Sequence, residues 1–343
     1  MPPQIAIIGA GPGGCMLARL LHTSGAEIHA TVFEAEASID YRSQGGTLDL
    51  RTATGLAAIK QAGLWDEFQR FARYDGESLL VTDKNLTTWL RRRGRRYGEL
   101  ESQKYGEAPE IDRADLRKML MESLSEGTVK WGYKLSSIEE APSGLALRFA
   151  NGEVHTGYDL IVGCDGAFSK TRAWLSSERP HYSGLGGWNL NIPFASETAP
   201  QVSKLVAGGS VFAYSDHKAL SLQQLSRNDS ISVSYYAHFP EDYTRTCGFD
   251  TTNIDLAKAA LRTELPDWKE ELLEAVESAR GECTWRNLYE LPVGFQWDHS
   301  KHHSFYFGGM FGSLTYHHHL FRTWCNPSRR RSTRNDTFRR NRG

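Results

Sequence analysis

Residues 4–14 read Gln-Ile-Ala-Ile-Ile-Gly-Ala-Gly-Pro-Gly-Gly, an apolar run that passes directly into a cluster of glycines. The run Gln4 to Ile8 is rich in β-branched residues, which is typical of a buried parallel strand. Helical spacing of apolar residues follows from Cys15 to Ser24, and a second apolar run covers Ile28 to Glu34. This order within about thirty residues predicts a dinucleotide-binding βαβ unit.

The glycines at the turn have different physical tasks in such a unit. Gly9 permits the tight turn, Gly11 lets the backbone approach a pyrophosphate, and Gly14 allows close packing of helix on strand. Glu34, about twenty residues after Gly14, is placed to accept hydrogen bonds from ribose hydroxyls. An acid there favours an unphosphorylated ribose and disfavours NADP, which leaves FAD and NAD as the two candidates.

Composition excludes several other classes of protein. The net charge of −1 argues against a nucleic-acid partner, and no run of eighteen apolar residues is present to span a membrane. Five scattered cysteines without a CxxC pair favour reduced thiols and a cytoplasmic location. The arginine-rich residues 322–343 could bind nucleic acid or acidic surfaces, but their few apolar side chains favour a disordered tail.

Three further segments resemble a known family when they are taken together with the glycine-rich turn. They are Gly45-Gly-Thr-Leu-Asp49-Leu, Pro109-Glu-Ile-Asp-Arg113-Ala-Asp-Leu-Arg117 and Asp159-Leu-Ile-Val-Gly-Cys-Asp165-Gly166-Ala-Phe-Ser-Lys-Thr-Arg172. The chain resembles the FAD-dependent aromatic-ring monooxygenases, the class of para-hydroxybenzoate hydroxylase. Within that class it most resembles the tetracycline-inactivating monooxygenases and their fungal relatives. The resemblance runs from about residue 4 to about residue 310.

The resemblance implies a cofactor and its binding residues. FAD becomes the expected dinucleotide, with Glu34 on its ribose and Asp49 near the flavin. Arg113 is expected at the pyrophosphate or ribityl region, which suits the rigid donor fork of arginine. Asp165 lies in the motif that the family associates with both FAD and NADPH.

The residues alone leave ordinary structural roles open for some of these side chains. Arg113 and Arg117 lie four apart on one helix and could simply pair with Glu110 or Asp115. Asp165-Gly166 is also a common turn sequence.

The resemblance also implies an activity. NADPH would reduce FAD, and a flavin C4a-hydroperoxide formed with O₂ would hydroxylate an aromatic or polyketide-like small molecule in secondary metabolism. No catalytic side chain is assigned, since the cofactor supplies the difficult chemistry. No metal site is expected either, because the three consecutive histidines 317–319 do not present a tetrahedral ligand set.

The predicted fold class is α/β, with a Rossmann-type FAD-binding domain interrupted by a β-rich substrate domain. The predicted boundaries are 1–175 for the first part of the FAD-binding domain, 176–290 for the substrate domain, 291–321 for a returning segment and 322–343 for the tail. Strand-like alternation from Gly187 to Phe239 would form the floor of the substrate pocket. Its plausible lining residues are Trp188, Phe194, Phe212, Tyr214, Gln223, Gln224, Tyr235, Tyr236 and His238.

The C-terminal part departs from the family pattern. The family has a Gly-Asp motif there whose aspartate binds the ribityl chain, but Ser304 to His319 contains no such aspartate. One hypothesis is a changed reading frame or alternative exon near residue 300. If the ending is genuine, we expect weak retention of flavin and poor coupling of NADPH oxidation to oxygenation, as in a truncated or non-catalytic form.

Overall fold

A computed structural model describes residues 1–40, 45–94, 107–142 and 144–297, together with the backbone of a strand at 305–307. The histidines 317–319, the tail 322–343 and most of the segment from Ser304 to His319 lie outside the described residues. Within the described ranges, no helix is both long and apolar enough to cross a lipid bilayer.

The elements of the first half of the chain are β1 (Gln4–Ile8), α1 (Pro12–Thr23), β2 (His29–Glu34), β3 (Thr47–Asp49), α2 (Gly55–Gln61), α3 (Trp65–Gln69), β4 (Leu79–Thr82), β5 (Thr88–Arg92), β6 (Glu110–Asp112), α4 (Arg113–Glu122), β7 (Val129–Trp131), β8 (Leu135–Ala141), β9 (Gly144–Phe149), β10 (Val154–His155), β11 (Leu160–Gly163) and α5 (Lys170–Leu175). Those that follow are β12 (His181–Ile192), α6 (Ala195–Thr198), α7 (Pro200–Val206), β13 (Ser210–Ser215), β14 (Lys218–Gln224), β15 (Ile231–His238), α8 (Tyr243–Thr246), α9 (Ile254–Glu264), α10 (Glu270–Glu277), β16 (Thr284–Glu290) and β17 (Phe305–Phe307).

The described residues fall into two compact units. The first unit contains residues 1–72, 107–181 and 289–297 and the strand β17, and the second contains 73–94 and 182–288. Residues 73–94 therefore differ from the predicted boundary, which placed them in the FAD-binding domain. The reason is strand pairing, since β4 lies parallel to β13 with Leu79 opposite Ser210. Neighbouring sequence could not reveal a partner so distant along the chain.

The first unit is built on a parallel sheet with the strand order β17-β11-β1-β2-β7. Its central strand β1 is apolar on both faces, as expected for a parallel strand covered on each side. Ile5 and Ile7 pack in the core that includes α1 and α4, whereas Ala6 and Ile8 pack in the core that includes β8 and β9. This explains why the run Gln4 to Ile8 is continuously apolar rather than alternating.

The second unit is built on a mixed seven-stranded sheet with the order β16-β12-β15-β14-β13-β4-β5. One face of this sheet packs against α7, α9 and α10 in a single apolar core. Along β15 the pattern of burial alternates strictly, so successive side chains point to the core and away from it. The predicted fold class, an α/β dinucleotide-binding domain with an inserted β-rich domain, is confirmed.

Candidate cofactor site

The turn between β1 and α1 is closed by two glycines that have no room for a side chain. Gly9 has φ +105°, and its N–H donates to the Phe33 carbonyl at 2.7 Å. A Cβ on Gly9 would lie 2.4 Å from the carbonyl oxygen of Cys164, and one on Gly14 would lie 2.0 Å from the Gly9 carbonyl oxygen. Both positions therefore require glycine for packing of the chain on itself.

The other two glycines of the turn face open space. A Cβ on Gly11 or Gly13 would meet no atom of the described residues within 4 Å. Gly11 is the N-cap of α1 without any side-chain hydrogen bond, and Pro12 occupies the first turn. Because the first N–H groups of a helix lack intrahelical partners, they are available to an anion here. The turn fits a pyrophosphate that approaches the backbone at Gly11.

Glu34 is held at the end of β2 beside this turn. Its Oε2 accepts a hydrogen bond from the Ala10 N–H at 2.7 Å, and its Oε1 accepts one from the Glu36 N–H at 3.0 Å. An ionised carboxylate has about four acceptor positions, so two backbone donors leave capacity for ribose hydroxyls. Although Glu34 is buried, its position is thus compatible with the predicted role.

Arg117 connects three parts of this region from α4. Its Nε donates to the Ala10 carbonyl at 3.0 Å, and its Nη1 donates to Glu36 Oε2 at 2.7 Å. Its Nη2 lies 3.6 Å from Glu34 Oε2, and the side chain is only 3% exposed. The partners suggested by sequence spacing, Glu110 and Asp115, are not the ones that Arg117 contacts.

Glu36 is the functional neighbour that sequence reasoning missed. It is buried, and its carboxylate would repel that of Glu34 without the guanidinium between them. The available signal was a second acid two positions after Glu34, together with an arginine on the helix that packs against α1.

Arg113, one helical turn before Arg117, has a different environment. Its backbone N–H donates to the Gly46 carbonyl at 3.1 Å, and its Nε lies 3.9 Å from where a Cβ on Gly46 would stand. Burial lowers the pKa of its guanidinium. In the described part of the chain no hydrogen bond or ion pair holds that guanidinium, which leaves it available to an anionic ligand.

Strand pairing places the segment of Asp49 near Arg113. The strands β3 and β6 are antiparallel, with Asp49 opposite Glu110 and Thr47 opposite Asp112. Asp112 directly precedes Arg113, so this two-stranded sheet brings the segment of Asp49 alongside the start of α4. The Asp49 side chain itself is exposed.

Asp165 follows β11 and organises the start of α5. Its Oδ1 accepts a hydrogen bond from Ser169 Oγ at 2.5 Å, and its Oδ2 accepts from the backbone N–H groups of Lys170 at 2.7 Å and Thr171 at 3.1 Å. Both oxygens are therefore used within the chain, although the cofactor role of Asp165 stays a prediction.

Arg172 ends the same segment and is buried beneath the turn. Its Nη2 donates to the Ala167 carbonyl at 2.5 Å, whereas its Nη1 has no partner among the described residues. Burial lowers the pKa of this guanidinium.

The structure divides the predicted lining residues of the β-rich domain into different environments. Trp188 and Tyr235 are wrong as lining residues, because both are fully buried in the core beneath α9. Gln224 is turned into the chain, where its Nε2 donates to Asp229 Oδ1 at 3.0 Å. Tyr236, by contrast, lies on the sheet face away from that core.

Comparison with known proteins identifies the family. Residues 3–281 match the family described as FAD binding domain. The monooxygenase asqM of Emericella nidulans is 31% identical over 68% of this chain and 54% of its own length. The chain spans about half the length of the curated relatives it matches.

Solved structures show the same fold. Klebsiella pneumoniae HpxO, complexed with FAD and uric acid, has a TM-score of 0.65 at 17% identity over 84% of this chain and 68% of that protein. Tetracycline destructase Tet(51) has a TM-score of 0.56 at 17% identity over 90% of this chain and 74% of that protein. The chain belongs to the FAD-binding family of flavin monooxygenases, as the resemblance in its motifs predicted.

Proposed function

We propose that this protein is an FAD-dependent monooxygenase that uses NADPH and O₂ to hydroxylate an aromatic or polyketide-like small molecule in secondary metabolism. The observation that carries the proposal is the pairing of an open glycine backbone with an arginine that has no anionic partner among the described residues. Gly11 offers free space and helix N–H groups, and Arg113 offers a half-buried cation. Both features suit the phosphates of a dinucleotide.

The start of α1, Glu34, Arg113 and Arg117 each have a definite task in this proposal. The N–H groups at the start of α1 and the Arg113 guanidinium hold the pyrophosphate. Glu34 accepts hydrogen bonds from the ribose hydroxyls, and Arg117 holds the Glu34 side chain in its orientation. Because residues four apart share a helix face, Arg113 points to the same side of α4 as Arg117, which contacts Ala10.

Bound FAD would supply the redox chemistry that activates O₂ for transfer to an electron-rich ring. The contribution of the chain is to bind, to orient and to exclude water. Asp165 orders the turn after β11 through its hydrogen bonds to α5, and we propose that this ordering serves FAD and NADPH.

A second candidate is an FAD-binding form with little turnover. The observation in its favour is the absence of a Gly-Asp pair from Ser304 to His319. In that case FAD binds through the adenosine half, while NADPH oxidation yields peroxide rather than product.

Titration of the full chain with FAD, followed by NADPH oxidation in an oxygen electrode, tests the proposal. We expect flavin binding, reduction by NADPH, and oxygen uptake that an electron-rich aromatic substrate stimulates. Peroxide released in equal amount to NADPH consumed would select the second candidate, and no flavin binding would contradict both.

Variants of α4 test the roles within the site. Arg113→Ala should weaken FAD binding about tenfold, since a charge-assisted hydrogen bond contributes about 1.5 kcal/mol or more. Lys118→Ala is the matched control, because this lysine is exposed on the same helix and forms an ion pair with Glu122 at 3.8 Å. If Arg113→Ala and Lys118→Ala bound FAD with equal affinity, Arg113 would not be part of the FAD site.

A further inference from the structure

Trp131 ends the strand β7 directly beside Glu34. The strands β2 and β7 are parallel, with Val129 opposite Val32 and Trp131 opposite Glu34. Val32 and Val129 pack in the core that includes α1 and α4. Because side chains on one face of a strand repeat every two residues, Glu34 and Trp131 point to that same face of the sheet.

Trp131 is a large aromatic side chain that lies outside the apolar cores. It is half-buried and belongs to none of the four cores of the described residues, whereas its neighbour Val129 packs on one of them. Among the described residues its indole donates no hydrogen bond and contacts no other ring. Its partner is Arg117, whose Cζ lies 5.9 Å from the ring centroid, within the range of a cation–π contact. Core packing therefore does not explain a tryptophan at this position.

The backbone around Trp131 is tied to the end of β2. Gly132 has φ +76°, and its N–H donates to the Glu36 carbonyl at 2.8 Å. The Tyr133 N–H donates to the Glu34 carbonyl at 2.7 Å. The guanidinium of Arg117 in turn lies 3.6 Å from Glu34 Oε2. The indole and the Glu34 carboxylate therefore share one rigid support.

The order of the strands matches the order of the groups in adenosine diphosphate. The strands β1, β2 and β7 are successive neighbours in the sheet. The first leads into the open turn at Gly11, the second ends at Glu34 and the third ends at Trp131. Ligands of open α/β sheets bind beyond the carboxyl ends of the strands, and neighbouring strands lie about 4.8 Å apart. A diphosphate at Gly11 and a ribose on Glu34 therefore direct the attached base toward Trp131.

We propose that Trp131 stacks on the adenine base of the cofactor. Arg117 then supports two contacts at once, because it touches both the indole and the Glu34 carboxylate. The inference rests on the proposed function for the identity of the cofactor. It goes beyond the proposed function by assigning the contact of the base to Trp131 and a preference for a double-ring base over a single-ring base.

Two nucleoside diphosphates that differ only in the base test this preference. Binding of ADP and CDP to the full chain freed of FAD is compared by isothermal titration calorimetry. We expect ADP to bind about tenfold more tightly, since a purine has the larger surface for stacking on an aromatic ring. Equal affinity for ADP and CDP in the wild-type chain would overturn the proposal.

Substitutions on β7 assign the preference to Trp131. Trp131→Ala should bind ADP about tenfold more weakly, whereas Trp131→Phe keeps an aromatic face and should lose less than about threefold. Lys130→Ala is the matched control, because Lys130 lies on the opposite face of the strand, where its Nζ is 5.8 Å from the centroid of the Phe33 ring. An ADP affinity of Trp131→Ala equal to that of Lys130→Ala would contradict the stacking.

Fluorescence distinguishes a stacked indole from one that merely supports Arg117. ADP should quench part of the tryptophan emission of the wild-type chain, and Trp131→Phe should lose that part while it still binds ADP. Trp65→Phe is the control, because Trp65 also contacts a cation, with Lys60 Nζ 4.3 Å from the ring centroid, but packs on the core of the first unit. Quenching that persists in Trp131→Phe would overturn the proposal, even if Trp131→Ala failed to fold.

Titration of the same variants with FAD separates this inference from the proposed function. If ADP alone binds too weakly to measure, the FAD affinities of Trp131→Ala and Trp131→Phe decide in its place. FAD binding by the wild type with unchanged affinity in Trp131→Ala would overturn only the contact of the base. If the wild type bound neither FAD nor ADP, the proposed monooxygenase would be wrong, and the contact of the base with it.

Discussion

Two turns follow neighbouring strands of the first unit's sheet, and they differ in what satisfies the helix behind them. The turn after β1 leaves the start of α1 without a side-chain cap, and its Gly11 faces open space. The turn after β11 fills the start of α5 with the carboxylate of Asp165 and the hydroxyl of Ser169. Two turns at similar positions of a parallel sheet thus differ. The helix N–H groups after β1 can bind an anion, whereas those after β11 already donate to side chains of the protein.

The difference shows how the same backbone feature acquires different functions. Helix N–H groups attract negative charge in both turns. After β11 the negative charge comes from Asp165, whereas at the start of α1 no side chain of the described residues accepts a hydrogen bond as a cap. Glu34 bonds the Ala10 N–H from the side and does not cap α1.

The largest effect is expected from Arg117, which supports the turn after β1. Arg117→Ala should lower the free energy of unfolding by about 3–5 kcal/mol, because it leaves Glu34 and Glu36 buried without their cation. Urea denaturation measures this loss. Adding Glu36→Gln to Arg117→Ala should recover part of it, and strict additivity of the two changes would contradict the coupling.

Two glycines of the turn after β1 are expected to have different roles, one in stability and the other in FAD binding. Gly14→Ala should cost about 3 kcal/mol, since its Cβ would lie 2.0 Å from a backbone oxygen. Gly11→Ala should change stability by less than about 1 kcal/mol and still weaken FAD binding about tenfold or more, because the methyl group occupies the space for the pyrophosphate. Thermal melts measure the stability of both variants, and FAD titrations measure their affinity for the cofactor. If both variants lost stability and FAD affinity to the same extent, the proposed division of roles between Gly14 and Gly11 would be wrong.

A substitution in the turn after β11 should lower the stability of the protein more than its affinity for FAD. Asp165→Ala removes the acceptor of two backbone N–H groups at the start of α5, so we expect a loss of about 1–2 kcal/mol. FAD affinity should fall less than in Arg113→Ala. A fall in FAD affinity larger than that of Arg113→Ala would mean that Asp165 contacts the cofactor directly.

Near neutral pH the cysteines beside the two turns are expected to have no effect through ionisation, and they affect stability only from about pH 9 upward. Burial raises the pKa of the Cys15 thiol to about 12 and that of Cys164 to about 11. The unfolded chain releases these protons from about pH 9 upward, so stability should fall with rising pH, up to about pH 11 for Cys164 and about pH 12 for Cys15. The fall is about 1.4 kcal/mol per pH unit for each cysteine at most. Denaturation of Cys15→Ala across this range should show a shallower fall, and an identical slope would contradict the assignment.

Sequence patterns were sufficient for the βαβ unit and for the kind of fold. The run Gln4 to Ile8, the glycine cluster and the apolar spacing of α1 act within about thirty residues, where local sterics and burial dominate. The predicted strand at 28–34 is β2 (His29–Glu34), and Arg113 and Arg117 lie on one helix, α4 (Arg113–Glu122), as expected. Differences of one or two residues at the ends reflect caps and fraying rather than a wrong type of element.

The assignment of strands 79–92 to the second unit was beyond local patterns. Their sequence reads as ordinary strands, and only the parallel pairing of β4 with β13 decides the unit to which they belong. The predicted lining residues of the substrate pocket also could not be sorted from local sequence. Alternation predicts two faces along β12 and β15, but it does not say which face the helices cover, so Trp188 and Tyr235 could not be separated from Tyr236 in advance.

The partners of the charged side chains likewise emerged only in the folded chain. The sequence alone specified a glycine turn, an acid at the end of the second strand and two arginines on one helix. Folding brought Arg117 to Glu36, 81 positions away, and left Arg113 without an anion in the described residues. Local geometry determines where a helix begins and which face it shows, whereas the partner of a buried charge depends on which distant segment packs against that face.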